Sequence, residues 1–292
     1  MITSIYKNLD NNLLKKIKNE FIKFLDLEKS NNCCDTRNIK KNIGRPRKIS
    51  LLNVVLFTFK TICGSKLEDL VNDPKEISSY QKYIRKLKMS KILDKLYEQK
   101  IIQLYNDKKL DISCIHVDST DILNLYGNED VGYGYKFKNK KSTRIHLAIS
   151  NNEIPLSVHI TGANKNDSTQ LKVNLANIPF KVKTSNKKST YVVIDKGYAS
   201  KNNFNIIEKE YKYKMLCPPK SNSNMNKYHN ITLFNRLKRK YNQEKYINRL
   251  KIERFFSLTK KFPKIIQRYD RKSICFMGSI KMILLNIAYI RS

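Results

Sequence analysis

The fold is decided at residues 112–118, which read ISCIHVD. Apolar residues follow a helical period before this stretch and a strand-like pattern after it. The apolar run Ile112–Val117 predicts a short buried strand that Asp118 closes. A second run, YVVI at residues 191–194, is closed in the same way by Asp195. Two buried strands that each end at an aspartate predict an α/β protein with its site at neighbouring strand ends.

The other strands define the order of the sheet. Strands are predicted at Thr143–Ile149 and Ile154–Ile160, and the turn residues Asn151–Glu153 join them as a hairpin. A last strand is predicted at Lys214–Cys217. Three hairpin-linked strands are therefore followed by two that crossover helices connect. This is the order of a ribonuclease-H-like mixed sheet, three antiparallel and then two parallel strands, flanked by helices. The crossover helices are predicted at Ser168–Ile178 and at residues 200–210.

A long helix is predicted at Tyr246–Lys260, YINRLKIERFFSLTK, because it contains neither Pro nor Gly. At about 100° per residue, Tyr246, Arg249, Glu253 and Lys260 share one line along the helix. A neighbouring apolar stripe can face a core and consists of Ile252, Phe255, Phe256 and Phe262. The helix thus buries one side and presents one glutamate among cations.

The charge of the chain is unusual. Its 58 Lys and Arg residues exceed its 25 Asp and Glu residues, which gives a net charge of +33. Such a surplus repels itself unless the partner is a polyanion, so nucleic acid is the first partner to consider. An anionic membrane surface and a merely soluble basic protein are the alternatives.

Cysteine spacing and hydropathy bear on the compartment. Six cysteines without C-x-x-C spacing and four scattered histidines predict neither a zinc site nor a disulfide framework. A reducing, intracellular setting fits, and the N-terminus does not resemble a secretory signal. Residues Ile274–Ile290 are apolar but short for a membrane span and contain Lys281. A buried C-terminal helix with Ser273 as its N-cap is therefore expected, and no membrane is expected as a partner.

Three domains are predicted. Residues 1–48 form an amphipathic helix to residue 28 and then a polar, basic linker. In that linker, Gly44–Arg47 (GRPR) is similar to an AT-hook, whose arginines enter the minor groove, although a solvated linker fits equally. Residues 49–108 are predicted to be all-helical, and residues 109–292 form the α/β domain.

The helical domain has the pattern of a helix-turn-helix DNA-binding unit. Its helices are predicted at Ser50–Cys63, Ser65–Val71, from Ser78 or Ser79 onward, and from Ser90 to about Tyr105. The third helix carries the cations Lys82, Arg85, Lys86 and Lys88. A small helical bundle with a solvated basic face is the alternative.

Asp118, Asp195 and Glu253 can converge if the two strands are adjacent and the helix crosses the sheet. Like charges raise each other's pKa, and two Mg²⁺ or Mn²⁺ ions would resolve the conflict because both take oxygen ligands. Two such ions activate a water or 3′-hydroxyl at a phosphodiester and stabilise the leaving oxygen. Asp121 competes with Asp118 for this role. Two further aspartates are weaker candidates, Asp130 in a loop and Asp167, which is expected at a helix N-terminus.

These motifs resemble those of a DDE transposase of the bacterial insertion-sequence type. Tyr246, Arg249, Glu253 and Lys260 match that family's Y-(2)-R-(3)-E-(6)-K signature. Four other blocks resemble the family's motifs: residues 116–120 (HVDST), 193–198 (VIDKGY), 161–168 (TGANKNDS) and 268–271 (RYDR). The helical residues 49–105 resemble its small N-terminal domain, but the chain has no Trp, which is common there.

The resemblance implies a ribonuclease-H-like fold and a metal-binding triad of Asp118, Asp195 and Glu253. It implies cutting at transposon ends, joining of the 3′-hydroxyl to target DNA, and a homodimer on double-stranded DNA. The candidate DNA-binding residues are Tyr246, Arg249, Lys260, Lys196, Arg254, Arg45, Arg47, Lys82, Arg85 and Lys86. A catalytically silent or domesticated DNA-binding protein and a non-integrating nuclease of the same fold remain the alternatives.

Overall fold

The computed structural model describes residues 10–31, 49–138, 140–182, 190–218 and 243–292. Within these residues one mixed sheet has its strands in the central order β4-β3-β1-β5-β6, and two short strands pair with its inner strands, β2 with β3 and β7 with β1. The strands are β1 (Cys114–Asn124), β2 (Gly132–Tyr133), β3 (Lys141–Ser150), β4 (Pro155–Gly162), β5 (Tyr191–Val193), β6 (Lys214–Leu216) and β7 (Gln267–Arg268). β1, β3 and β4 are antiparallel neighbours, whereas β5 and β6 run parallel to β1. This confirms the predicted ribonuclease-H-like α/β fold.

Helices flank the sheet and precede it. They are α1 (Asn11–Asn31), α2 (Leu51–Ile62), α3 (Ile77–Met89), α4 (Ile92–Asn106), α5 (Asp167–Ala176), α6 (Lys201–Asn205), α7 (Gln243–Ile247), α8 (Leu250–Thr259), α9 (Pro263–Ile266) and α10 (Ser273–Ile290). One hydrophobic core joins α1–α4 to the sheet and to α10. The predicted linker after α1, with Arg45 and Arg47, lies outside the described residues. The predicted domain boundaries at residues 48 and 108 stay a prediction.

Strand β1 is longer than the sequence predicted. It continues past Asp118 to Asn124 because β3 pairs with it over its whole second half, with Asp118 opposite Leu147. The prediction that Asp118 closes the strand is therefore wrong. Asp195 does follow its strand, since β5 ends at Val193.

The region between α2 and α3 also differs from prediction. Residues 65–71 form turns and not a helix, and α3 begins at Ile77, before the serines predicted to cap it. A short 3₁₀ turn at Pro74–Glu76 leads into α3, and the Asp73 carboxylate accepts a hydrogen bond from the backbone of Lys75. Proline fixes its own φ at the start of this turn, so the chain becomes helical there and not at the serines.

Helix α10 lies in the core, packed on α3, α4 and β4. It is long and apolar enough to cross a membrane by length and composition, but 67% of it is buried inside the protein. Ser273 is the first residue of α10 and Lys272 is the N-cap, so the predicted cap is wrong. Ser273 is held instead by tertiary contacts, since its hydroxyl accepts from Arg268 and its N–H donates to Glu129.

The predicted helix Tyr246–Lys260 is two helices, α7 and α8, joined by a tight turn at residues 248–249. The backbone N–H of Arg249 bonds the carbonyl of Tyr246 at 2.8 Å, and that of Ile252 bonds Arg249 at 3.1 Å. These three-residue steps replace the regular helical bonds. Near the start of α8, Lys251 donates to Asn151 in the turn between β3 and β4 at 2.7 Å. The prediction that Tyr246, Arg249, Glu253 and Lys260 share one line along a single helix is therefore wrong in detail.

Candidate active site

The candidate site lies at a gap along one edge of β1. Strand β5 pairs with β1 as far as His116, and β7 pairs with it again only from Leu123. Between them, residues 117–122 have no strand partner on that side among the described residues. Asp118 lies in this gap, just beyond the end of β5. The site is therefore next to a strand end, as predicted, although the strand that ends is β5.

Alternation along β1 separates two sets of polar side chains. On one face, Asp118 contacts Arg249 and Thr120 contacts Lys260, the residues that flank α8. Ser119 lies on the other face, where its hydroxyl donates to Asp167 at 2.7 Å. The two faces of one strand thus serve two different polar clusters.

Arg249 joins the predicted carboxylates. Its Nη2 donates to Asp118 Oδ2 at 3.1 Å and its Nη1 lies 2.8 Å from Glu253 Oε1. The charge of Asp195 acts on both Asp118 and Arg249. The side chain of Asp118 is only 16% exposed, whereas that of Glu253 is 46% exposed. Arg249 therefore bridges Asp118 and Glu253, and the charge of Asp195 acts on the same pair.

Burial sets the protonation of this group. Desolvation raises the pKa of Asp118 to about 6, and the charge of Asp195 adds to this effect. Arg249 and the backbone N–H of Ser119 act in the opposite direction. Burial opposes the charge of Arg249, yet the carboxylates Asp118 and Asp195 raise its pKa. The pocket is thus a place where negative charge is costly and a cation is favoured.

Lys260 contacts Thr120, two residues along β1 from Asp118. Burial lowers the pKa of Lys260 to about 8, and the nearby ammonium group of Lys136 lowers it further. Lys136 comes from the loop between β2 and β3. Two neighbouring cations of this kind favour an anion between them, such as a phosphate.

The opposite face of β1 holds a network of ion pairs. Arg144 donates to both carboxylate oxygens of Asp121, at 2.6 and 3.1 Å, and to Asp167 at 3.0 Å. Asp167 is the first residue of α5, as the sequence predicted. Because Asp121 is committed to Arg144 on the face away from Glu253, Asp118 remains the candidate ligand of the two.

The other predicted DNA-binding residues of this region are spread around the site. Lys196 is exposed in the turn directly after Asp195. Tyr246 is half-buried and packs beside Tyr191 and Val193 of β5. Arg254 points away, with its nearest carboxylate oxygen on Glu153 at 3.7 Å.

The predicted cations of the helical region lie apart from Asp118. On α3, Lys82 and Arg85 are exposed, while Lys86 forms an ion pair with Glu28 at 2.7 Å. Asp130 lies in the loop before β3 with a left-handed φ of 49°, and its carbonyl accepts from Thr143. Neither α3 nor Asp130 contributes a side chain to the carboxylate group.

Several residues of the site were not found from the sequence. Thr120 could have been found, because alternation places it on the same face as Asp118. Arg144 and Lys136 could not, since their positions depend on strand register and on a loop. The described residues contain no group of three or more His, Cys, Asp or Glu side chains arranged to hold a metal ion. Arg249 lies between the carboxylates of Asp118 and Glu253.

The protein is therefore an α/β protein with a mixed sheet and with carboxylates and cations at a gap beside a strand end. Residues 109–274, more than half of the chain, match the family described as the transposase DDE domain. The chain belongs to this family. No curated protein matches the chain.

Two solved structures illustrate its weak structural similarity. The pre-cleavage Mos1 transpososome is 8% identical, with 89% of this chain and 83% of that chain covered and a TM-score of 0.28. The Mos1 mariner paired end complex with Mn is 9% identical, with 78% and 83% covered and a TM-score of 0.26. Similarity at these scores carries no argument about this chain.

Proposed function

We propose that this protein is an active DNA transposase that cuts at transposon ends and joins the 3′-hydroxyl to target DNA. Asp118, Asp195 and Glu253 would hold two Mg²⁺ or Mn²⁺ ions. The observation that carries the proposal is that Arg249 bonds both Asp118 and Glu253 at the gap in β1, where the charge of Asp195 also acts on it. Membership of the transposase family supports the same reaction class.

The residues fit a hard divalent cation. Asp118 and Glu253 already hold one positive group, the guanidinium of Arg249, between their oxygens. The donor set consists of carboxylate oxygens, which Mg²⁺ and Mn²⁺ prefer. When bound, such ions supply an activated water or 3′-hydroxyl and stabilise the leaving oxygen. Arg249 would then be released from Asp118.

The cations of the chain would hold the DNA strand. A released Arg249 can donate two parallel hydrogen bonds to a phosphate, and Lys260 with Lys136 can hold a second phosphate beside Thr120. Arg249 bonds Asp118 itself, and Lys260 bonds Thr120 two residues along β1. They would fix the strand in line with the carboxylates, which is most of what phosphoryl transfer requires of a protein.

Double-stranded DNA is the proposed partner, both as transposon ends and as target. The net charge of +33 supports a polyanionic partner. Because two ends must be held together for transposition, a homodimer on DNA is proposed. The proposed location is intracellular, with the DNA of the host.

Cleavage of DNA that carries the element's terminal repeats tests the proposal. The parent should nick it with Mg²⁺ or Mn²⁺, and Asp118→Asn, Asp195→Asn and Glu253→Gln should each lower the rate at least about 100-fold, since one ligand is worth several kcal/mol. Glu98→Gln, an exposed carboxylate on α4, is the control and should cut normally.

The outcome separates the alternatives. Equal cutting by the parent and by Glu253→Gln would refute the site. Binding without any nicking would indicate a silent DNA-binding protein. Nicking without joining of pre-cut ends to a target plasmid would indicate a nuclease that does not integrate.

A further inference from the structure

A cleft of about 690 Å³ lies apart from the carboxylate group. One wall is a face of α3, and the other is the segment from α9 to the start of α10. The turn after α2 closes one end. The charged and aromatic lining residues are Lys66, Glu68, Arg85, Lys88, Lys264, Tyr269, Asp270, Arg271 and Lys272.

The cleft is strongly cationic. Six Lys and Arg side chains line it against two carboxylates, an excess of four positive charges. Asp270 is occupied by Lys88, whose ammonium group bonds both of its oxygens at 2.7 and 2.8 Å. In the part of the chain that the structure describes, no carboxylate lies within ion-pair distance of the remaining five cations. These five side chains are available to an anion.

Available cations lie on both walls of the cleft. Arg85 lies on the face of α3, and Arg271 and Lys272 lie on the facing segment before α10. Successive phosphates of one DNA strand advance about 3.4 Å along the axis, so cations on facing walls can contact different phosphates of one backbone. On the opposite wall, Lys264 lies 4.6 Å from the centre of the Tyr269 ring, which is 40% exposed.

The cleft is preformed because the turn at its closed end packs directly against one wall. Gly64, at a left-handed φ of 107°, lies against Pro263 at the start of α9. A Cβ at Gly64 would meet Pro263 Cγ at 3.0 Å, so only glycine allows this approach without a shift. The turn after α2 and the segment after Glu253 are therefore held together without a ligand.

We propose that this cleft binds the phosphate backbone of duplex DNA at a site separate from the carboxylate group. It would hold the backbone by charge and not by reading bases, unlike the helix-turn-helix predicted for α3. The cleft adjoins β7, which meets β1 at Leu123, five residues or about 17 Å beyond Asp118. Phosphates in the cleft would thus lie away from the point of cleavage, which rests on the proposed function.

Salt-dependent DNA binding tests the proposal. The test variant combines Arg85→Gln, Arg271→Gln and Lys272→Gln, all exposed positions that leave the Lys88–Asp270 pair intact. The control removes three exposed cations elsewhere, at Lys15, Lys16 and Lys209, also to Gln. Binding of a 30-base-pair duplex of arbitrary sequence is measured without metal between about 0.05 and 0.3 M salt.

Loss of three phosphate contacts should lower the slope of log K against log salt by about 2.7 and weaken binding at 0.1 M salt at least tenfold. The control should change the slope by less than one unit. Equal slopes for the two triple variants would overturn the proposal. It would also fall if inorganic triphosphate bound the parent but not the cleft variant while both bound DNA equally, since the cleft would then be a small-anion site.

The measurement is independent of the proposed function, because no metal is present and no bond is cut. If the parent never nicks DNA but the cleft variant shows the predicted change in slope, the transposase proposal is refuted and the cleft remains a DNA site. If the parent and the cleft variant nick DNA equally and bind it equally, the cleft proposal is refuted and the transposase proposal stands.

Discussion

Replacement of Arg249 by Gln should tighten the binding of Mn²⁺. In the metal-free protein, Arg249 is the counter-ion of Asp118 and Glu253, so an incoming ion must displace it. The bond to Asp118, a side chain only 16% exposed, contributes about 1.5–3 kcal/mol. The pair with Glu253, which is 46% exposed and one helical turn away, adds about 0.3–0.5 kcal/mol. Removing both interactions should therefore lower the dissociation constant for Mn²⁺ roughly 20- to 300-fold, at about 1.4 kcal/mol per tenfold.

Calorimetric titration of Mn²⁺ at pH 8 measures this effect, because Asp118 is ionised there. Arg254→Gln is the matched control, since it removes one Arg from the same helix at a side chain that is 69% exposed. The control should bind Mn²⁺ within about twofold of the parent. If Arg249→Gln bound Mn²⁺ no more tightly than the parent, Arg249 would not occupy the cation site, and the reasoning would be refuted.

Three further predictions follow from burial and charge. Because the pKa of Asp118 is raised to about 6, Mn²⁺ affinity should rise about tenfold per pH unit up to pH 6 and then level off, which titrations at each pH check. For the same reason, the free energy of unfolding without metal should fall as pH rises from about 4 to 6, which urea melts at each pH check. The pKa of Lys260 is lowered to about 8, so DNA affinity should fall as pH rises through 8, and Lys260→Gln should flatten that fall in a binding assay. Arg268 is fully buried and donates to three backbone carbonyls, so Arg268→Met should lower the free energy of unfolding by about 3–5 kcal/mol in urea, against less than about 0.5 for exposed Lys272→Met; an unchanged midpoint would contradict it.

The sheet could be predicted because its signals are local. Alternation and the turn Asn151–Glu153 define the hairpin of β3 and β4, and the apolar runs at β1 and β5 end near aspartates. The end of β1 could not be predicted, since its second half exists only because β3 continues to pair with it. An isolated pattern of polar residues such as Asp118–Asp121 looks like the end of a strand.

The candidate site was predictable in its residue types and not in its contacts. Spacing placed Arg249 and Glu253 on one helical face, but it did not indicate the turn that separates α7 from α8, where Arg249 bonds Asp118 of β1. Arg249 was expected to grip DNA, and it is the guanidinium between the carboxylates in the metal-free protein. That role of Arg249 depends on distances across the sheet, which a local sequence pattern does not encode.

The basic cleft was also beyond sequence reasoning. Its cations come from residues 66–88 and 264–272, which are nearly two hundred positions apart in the chain. They face each other only because Gly64 packs on Pro263 and α10 packs on α3. The sequence pattern assigned the cations of α3 to a helix-turn-helix. In the structure, Arg85 lines the cleft together with residues from distant parts of the chain.

Anomalous diffraction from crystals soaked in Mn²⁺ tests the central claim most directly. The account predicts Mn²⁺ bound by oxygens of Asp118, Asp195 and Glu253, with Arg249 no longer bonded to Asp118. Mn²⁺ bound elsewhere, with Arg249 still between Asp118 and Glu253, would contradict it.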